Sequence, residues 1–520
     1  MLAKTHSATV DGIQALPVTI EVNTAAAMRD GGMSRTVIVG LPDSSVKESY
    51  SRIDAALTNT GFRIAPGNLT INLAPGDIRK EGTGFDLPIA IGILMAHGFV
   101  AAGTADNYMM VGELSLDGSI QPIRGALPIA IKARSMGCRG LIVPIHNVHE
   151  AAVVNNLPVY GATTLQQVID FFNGDASALV PTVVNTREEF QAAQAQEGLD
   201  FADVKGQEAV KRAMEIAAAG GHNMIMVGPP GAGKSMMAQR LPSILPPLSL
   251  AESLETTQIH SVAGTLKGGT GLITRRPFRA PHHTVSQVAL VGGGANPMPG
   301  EISLAHNGVL FCDELPEFPR AALEVLRQPL EDRKITVTRA KYSIVYPCNF
   351  MFVASMNPCP CGYYNHPTHA CQCTPGQIHK YMNKISGPLL DRIDLQIEIL
   401  PVPVADLTSM PRGETSAQIR ERVVAARQIQ EQRFAATSPR IHCNAQMTPA
   451  MMKTYAPLSD ECLQLLRTAM TRLNLSARAY DRIIKVSRTI ADLDASPAIL
   501  ARHIGEAVGY RNLDREHWGE

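Results

Sequence analysis

Residues 228–235 read GPPGAGKS and follow the apolar run Met224-Ile225-Met226-Val227. An apolar strand that breaks into a glycine-rich loop, then a lysine and a hydroxyl residue, fits the phosphate-loop pattern G-x-x-x-x-G-K-[ST] at Gly228, Gly233, Lys234 and Ser235. The glycines let the backbone curl until its N–H groups face an anion, and a helix opening near Lys234 aims its positive dipole end at the same point. Gly228, Pro229, Pro230, Gly231, Ala232, Gly233, Lys234 and Ser235 are therefore the expected cradle of a nucleoside triphosphate. Lys234 reaches the β- and γ-phosphates and Ser235 holds Mg²⁺.

A second apolar run further along, Val309-Leu310-Phe311-Cys312, ends in Asp313-Glu314. Taken alone, such an acidic pair is an ordinary solvated strand end. Its place behind a phosphate loop predicts a catalytic role, with Asp313 organising the water shell of the metal and Glu314 polarising the attacking water. The expected chemistry is hydrolysis of ATP with Mg²⁺.

At 520 residues the chain exceeds what one core supports, so about two to four domains are expected. Forty-seven basic residues balance 47 acidic ones, which excludes a global polyanion-binding surface and makes any nucleic-acid contact local. The amino-terminal residues lack the apolar core of a secretory signal. The run Leu87–Ala96 is too short to span a bilayer and contains Pro88, so it reads as a buried helix rather than a membrane segment. Nine cysteines without a signal peptide point to the reducing cytoplasm.

Residues 1–173, with β-branched runs among Ala- and Leu-rich helical stretches, read as a mixed α+β or α/β domain. A Pro-, Ala-, Gln- and Glu-rich linker is expected over 174–200. A parallel sheet flanked by helices follows over 201–400, and a helical lid over 401–520.

Within the 201–400 segment, KITVTRAKYSIVY (334–346) predicts a hairpin with a basic tip around Arg339 and Lys341, followed by a strand that leads to Asn357. This order resembles the helicase and metal-chelatase branch of the AAA+ superfamily. The resemblance implies that Asn357 is the sensor-1 residue orienting the attacking water. Arg392, in LLDRIDL, would be an arginine finger for a neighbouring subunit, and Arg478, in LSARAYDR, the sensor-2 residue of the lid. A planar guanidinium that is always charged suits both tasks. A finger supplied in trans implies a homo-oligomeric ring, a hexamer by resemblance.

The stretch 275–308 carries Arg275, Arg276, Arg279, His282 and His283 beside a triple glycine. Adjacent histidines cannot share one face of a helix, which argues against a metal site there. The stretch falls where this AAA+ branch has an insert projecting towards the channel. Arg275, Arg276 and Arg279, with Arg339 and Lys341 of the hairpin, are thus the expected contacts to a DNA backbone; packing between subunits is the alternative.

Directly after Asn357, PCPCGYYNHPTHACQCT sets Cys359, Cys361, Cys371 and Cys373 as two C-x-C pairs. A structural Zn²⁺ held by the four thiolates is the expectation, with His366 or His369 as substitutes for one of them; a site without metal, or an Fe–S cluster, fits the same cysteines.

DIRKEGTGFDLPIAIG from Asp77 and GELSLDGSIQPIRGALPIAIKA from Gly112 resemble the segments that carry the serine and lysine of the Lon protease domain. Gly84 stands at the serine position and Leu127 at the lysine position, so the fold is expected without proteolysis. The whole chain resembles the ComM/YifB family of magnesium-chelatase-like ATPases. That resemblance implies an α/β multidomain protein: an AAA+ phosphate-loop core with a helical lid, preceded by a Lon-protease-like α+β domain lacking the catalytic dyad. It also implies a cytoplasmic hexameric motor on single-stranded or branched DNA, working with recombination proteins in branch migration during natural transformation. A chelatase subunit or protein remodeller acting on a protein partner is the alternative.

Overall fold

The computed structural model describes every residue except 27–34, 195–197, 268, 295–296, 340–341, 367, 403–411, 439 and 512–520. It divides into two compact units, Met1–Ala195 with Leu250–Thr274, and Gln196–Ser249 with Arg275–Glu520.

The first unit is built on β1 (Leu2–Asp11), β2 (Gln14–Ala26), β3 (Thr36–Val39), β4 (Gly67–Ala74), β5 (Tyr108–Met110), the small hairpin β6 (Glu113–Leu114) and β7 (Ile120–Gln121), β8 (Gly140–Pro144), β9 (Val159–Ala162) and β10 (Pro181–Thr182). Eight of these form one mixed sheet in the order β10-β9-β8-β5-β1-β2-β4-β3. The long antiparallel pair β1–β2 runs from Leu2↔Asn23 to Asp11↔Gln14, and its tight turn is possible because Gly12 takes φ +62°.

Every residue of the helix Asp86–Ala96 is buried, as its unbroken apolar sequence demands once it lies inside a core. No helix among the described residues is long and apolar enough to cross a membrane. The one acid on that helix, Asp86, is paired bidentately with Arg52 at 2.9 and 3.0 Å. Burial nonetheless pushes its carboxyl up to about 6, against the pull of Arg52.

Two stretches depart from the sequence expectation. The segment 174–200, read as a linker, contains β10 and the helix Thr186–Gln194, and Leu179 enters the core. Residues 250–274, read as part of the phosphate-loop domain, belong to the first unit. There Leu254 and Leu272 pack on the cluster around Leu127, Ala130 and Val148. Ser261 accepts the Gly125 N–H through its carbonyl at 3.1 Å and donates its hydroxyl to buried Glu150. Composition cannot reveal such a return of the chain, because the contacts are made across long separations in sequence.

The second unit holds β11 (Met224–Val227), β12 (Phe278–Arg279), the pair β13 (Gly292–Gly293) and β14 (Met298–Pro299), β15 (Val309–Cys312), the hairpin β16 (Lys334–Arg339) and β17 (Tyr342–Pro347), β18 (Met351–Met356) and β19 (Leu395–Glu398). Its main sheet has the order β12-β15-β18-β11-β19, and every pairing in it is parallel. β11, β15 and β18 are buried throughout, which is why they read as continuous apolar runs rather than alternating ones. The registers Val227↔Met356 and Cys312↔Ala354 bring their carboxyl ends to one edge.

The carboxy-terminal helices, among them Ser416–Arg433, Asp460–Arg472 and Ala477–Leu493, share one hydrophobic cluster with this sheet and with the helix Glu208–Gly220. Their attachment is also polar. Buried Asp394 accepts from the Asn223 N–H at 3.1 Å and from Arg482 at 3.0 Å, and lies 3.4 Å from His222 Nδ1. Asn223 in turn donates to the Arg392 carbonyl at 3.0 Å and accepts from the Phe352 N–H at 2.9 Å. Burial works to raise the Asp394 carboxyl, but Arg482, His222 and Lys485 hold it well below the usual carboxylate range.

Replacing Asp394 by Ala leaves Arg482 and Lys485 without their buried counter-charge and is expected to cost about 3–5 kcal/mol in urea unfolding. The sign of the pH dependence follows from the depressed native value. The stabilisation that distinguishes wild type from Asp394→Asn is complete above about pH 4, the ordinary carboxylate value, and is lost as the pH falls from there through the native value. Acid titration of the unfolding midpoint of the two proteins checks this; a gap independent of pH would remove the charge from the explanation.

Candidate nucleotide site

At the shared strand edge, β11 ends and the phosphate loop begins. Gly228 N–H bonds the Met356 carbonyl at 3.1 Å, and a Cβ on Gly228 would sit 2.3 Å from the Ile399 carbonyl oxygen, so only glycine fits. Gly231 and Gly233 take φ +78° and +88°, turning the chain into the helix Lys234–Ile244, whose first residues have no side-chain cap. Uncapped N–H groups at such an end are donors for an anion.

Lys234 bends back over the loop. Its Nζ donates to the carbonyls of Gly228 at 2.6 Å and Pro229 at 2.9 Å, and to Asn357 Oδ1 at 3.1 Å. Burial lowers its pKa, while Asp313 and Glu314 act in the opposite sense. Ser235 Oγ donates to Asp313 Oδ2 at 2.6 Å, and the Ser355 hydroxyl donates to Asp313 Oδ1. A hydroxyl and a carboxylate oxygen facing each other in this way would supply two of the six oxygens of a Mg²⁺ shell. Glu314 has φ +53°, a left-handed conformation uncommon outside glycine, and is half-exposed towards the site. Its carboxylate lies 3.6 Å from His283 Nδ1, and the His283 ring lies 4.0 Å from that of His282.

The structure thus brings together Lys234, Ser235, Asp313, Glu314 and Asn357. Ser355, not singled out in the sequence, joins them, as does His283, which the sequence offered only as half of an unconvincing metal pair. Ser355 had a signal in the one hydroxyl interrupting MFVASM; His283 had none beyond its basic neighbourhood.

The predicted arginines lie elsewhere. Arg392, 13% exposed, donates to the Pro388 carbonyl at 2.6 Å and pairs with Glu331 at 2.6 Å. Arg478, 68% exposed, pairs with Asp391, the neighbour of Arg392. Two arginines of the 275–308 stretch are engaged locally. Arg276 donates to the carbonyls of Pro246 at 2.6 Å and Asn307 at 2.8 Å, and Arg279 forms a two-pronged pair with Glu301 at 2.6 Å on both arms. These contacts hold the edge strand β12 and the start of the 275–308 stretch in place. Arg275 is exposed. Lys341 and the side chain of Arg339 lie outside the described residues.

Beyond Asn357 the chain folds Cys359, Cys361, Cys371 and Cys373 into a cluster with all four sulfurs within 4.8 Å of one another. Three of the separations are 3.3, 3.7 and 3.6 Å. These exceed a disulfide bond and approach the ~3.8 Å edge of a tetrahedron with ~2.3 Å zinc–sulfur bonds. The thiol set therefore fits Zn²⁺ without a histidine. His369 instead stacks on Tyr363, and His366 meets both rings edge to face.

In the first unit, Gly84 has room for a side chain, since a Cβ there meets only Ile123 Cγ2 at 3.8 Å. Leu127 is fully buried in the core. The nucleophile position is empty of chemistry although not of space, and the position expected for its base is committed to packing.

Comparison with known proteins agrees with this architecture. Family models described as subunit ChlI of magnesium chelatase match residues 24–147 and 200–407, and the model of its C-terminal region matches 413–511. Competence protein ComM of Haemophilus influenzae is 43% identical over 515 residues, covering 99% of this chain and 98% of that protein. The uncharacterized protein YifB of Escherichia coli is 42% identical over 518 residues, with the same coverage. Lon protease 2 of Bacillus subtilis is 31% identical over 164 residues, 29% of either chain. Matched along nearly their full lengths by two such relatives, this chain belongs to the ComM/YifB family of magnesium-chelatase-like proteins.

Proposed function

We propose that the chain is an AAA+ ATPase that assembles into a ring, a hexamer by its resemblance, and moves on single-stranded or branched DNA. Its task would be to drive branch migration of recombination intermediates during natural transformation. The observation that carries the ATPase reading is the convergence of Lys234, Ser235, Asp313, Glu314 and Asn357 at the ends of three adjacent parallel strands. The DNA reading rests on likeness to a competence protein.

In this reading Lys234 exchanges its loop carbonyls for the β- and γ-phosphates of ATP. Ser235 and Asp313 hold Mg²⁺ through the oxygens that now face each other. Glu314 polarises the attacking water and Asn357 orients it. Arg392 leaves Glu331 to reach the nucleotide of a neighbouring subunit, and Arg478 leaves Asp391 to report the phosphate state to the lid. The thiolates of Cys359, Cys361, Cys371 and Cys373 hold a structural Zn²⁺. The proposed DNA contacts are Arg275, Arg276 and Arg279 with Arg339 and Lys341 of the hairpin. A second reading, remodelling of a protein partner as in chelatase assemblies, draws on the chelatase-family match and on the engagement of Arg276 and Arg279 within the fold.

Lys234→Ala is expected to abolish ATP binding. Glu314→Gln should bind ATP but lose about 10²–10⁴-fold in turnover; normal turnover would remove Glu314 from the role of base. Mixing Arg392→Ala subunits with Lys234→Ala subunits should restore hydrolysis in mixed rings, and a mixture no more active than its components would argue against a finger acting between subunits. On a synthetic three- or four-stranded junction, wild type with ATP should exchange strands and Lys234→Ala should not. Hydrolysis without strand movement or stimulation by DNA would favour the protein-remodelling reading.

A further inference from the structure

We infer that the four-cysteine knuckle is a metal-dependent buttress of the phosphate loop, so that zinc occupancy and nucleotide affinity are thermodynamically linked. The inference rests on the reading of the nucleotide site given above.

Two contacts join the knuckle to that site. The first runs along the chain: Asn357, which accepts from Lys234 Nζ, is followed after one proline by Cys359, whose side chain is fully buried. The second crosses space. Gly362 closes a turn of the knuckle, donating its N–H to the Cys359 carbonyl at 3.0 Å with φ +85°. It rests so closely on the phosphate loop that a Cβ would lie 2.6 Å from Pro230 Cδ and 2.9 Å from Pro230 Cγ. The segment 357–362 therefore holds the loop at both ends, at Lys234 and at Pro230.

Beyond a few local hydrogen bonds and the ring contacts of Tyr363, His366 and His369, the sulfurs are what joins the two halves of the knuckle. Cys359 is the one buried member of the cluster, and the intervening residues Tyr364, Asn365 and His369 are not buried. Thiols at these separations attract one another only through weak S–H···S hydrogen bonds, and as thiolates they repel; a thiophilic divalent cation of tetrahedral preference supplies a far stronger attraction. Metal binding thus orders the turn carrying Gly362 and the strand end carrying Asn357, which are the two supports of the phosphate loop. Linkage then requires that the factor by which zinc raises nucleotide affinity equals the factor by which nucleotide raises zinc affinity.

The test uses the full-length protein with its metal content measured. Titration with a fluorescent ADP analogue and Mg²⁺ should show affinity weaker by about 5-fold or more after zinc is removed with a chelator, within the usual range of coupling between sites. Release of zinc to a chromophoric chelator should be disfavoured by Mg-ADP by the same factor. Because metal removal can unfold the region, Gly362→Ala provides a second route: it should keep one zinc per chain but bind the analogue more weakly. Gly376→Ala, where a Cβ meets nothing within 4 Å, should change neither. Analogue binding that is indifferent both to zinc and to Gly362→Ala overturns the linkage while leaving the nucleotide site intact. A purified protein that binds the analogue tightly but carries no zinc, and takes none up, overturns the metal. Failure of the zinc-loaded wild type to bind the analogue at all overturns the reading of the site itself.

Discussion

Parallel pairing of β18 with β11 on one side and β15 on the other is the constraint from which the site follows. Because all three strands run the same way and are buried over their full length, they must stop together where the apolar sequence stops. Whatever follows each strand is delivered to one row: a glycine loop after Val227, two carboxylates after Cys312, and an amide after Met356. Parallel sheets bind ligands at the carboxyl ends of their strands for this reason, since the loops there are freed from the ladder while the strands behind them remain rigid. The same sheet fixes the far end through Asn223, which bonds the start of β18 and the carbonyl of Arg392 with the two ends of one side-chain amide.

The parts of the site legible in the sequence were those whose chemistry is local. A phosphate loop, an apolar strand ending in two acids and a pair of C-x-C motifs each place the needed groups within a few residues, so spacing alone identifies them. The hairpin over Lys334–Arg339 and Tyr342–Pro347 and the buried helix Asp86–Ala96 were readable for the same reason. For arginine the structure adds partners that come from a distance. Arg276 and Arg279 look like a basic stripe until Pro246, Asn307 and Glu301 are brought beside them. A guanidinium carries five donors, and a fold that needs to tie up carbonyls at a sheet edge uses it as readily as a nucleic-acid surface does. The contact of His283 with Glu314 was hidden similarly, because neither residue announces the other.

The charged groups around the segment LLDRIDL form a graded series. Asp394 is buried and held by Arg482 and the Asn223 backbone, whereas Asp391, three positions earlier, holds exposed Arg478. Between them Arg392 is gripped by Glu331 through a mostly buried guanidinium. A buried pair resists opening, since separation strands a charge in a medium of low polarity, while exposed pairs contribute little and exchange freely with water. The segment LLDRIDL is therefore anchored at Asp394 and exchangeable at Asp391, where exposed Arg478 can change partner without unfolding what carries it.

The chain passes between its two units three times, at residues 195–196, 249–250 and 274–275. A fragment ending at residue 195 would lack the helix Leu250–Ala263, together with the Ser261 hydroxyl that satisfies buried Glu150 and the leucines that cover the Leu127 cluster. A fragment beginning at residue 196 would carry that same helix with its apolar face bare, an invitation to aggregate. The first unit is thus no cassette bounded by a single cut: one of its helices is carried by a stretch of chain that leaves the second unit at residue 249 and rejoins it at 275.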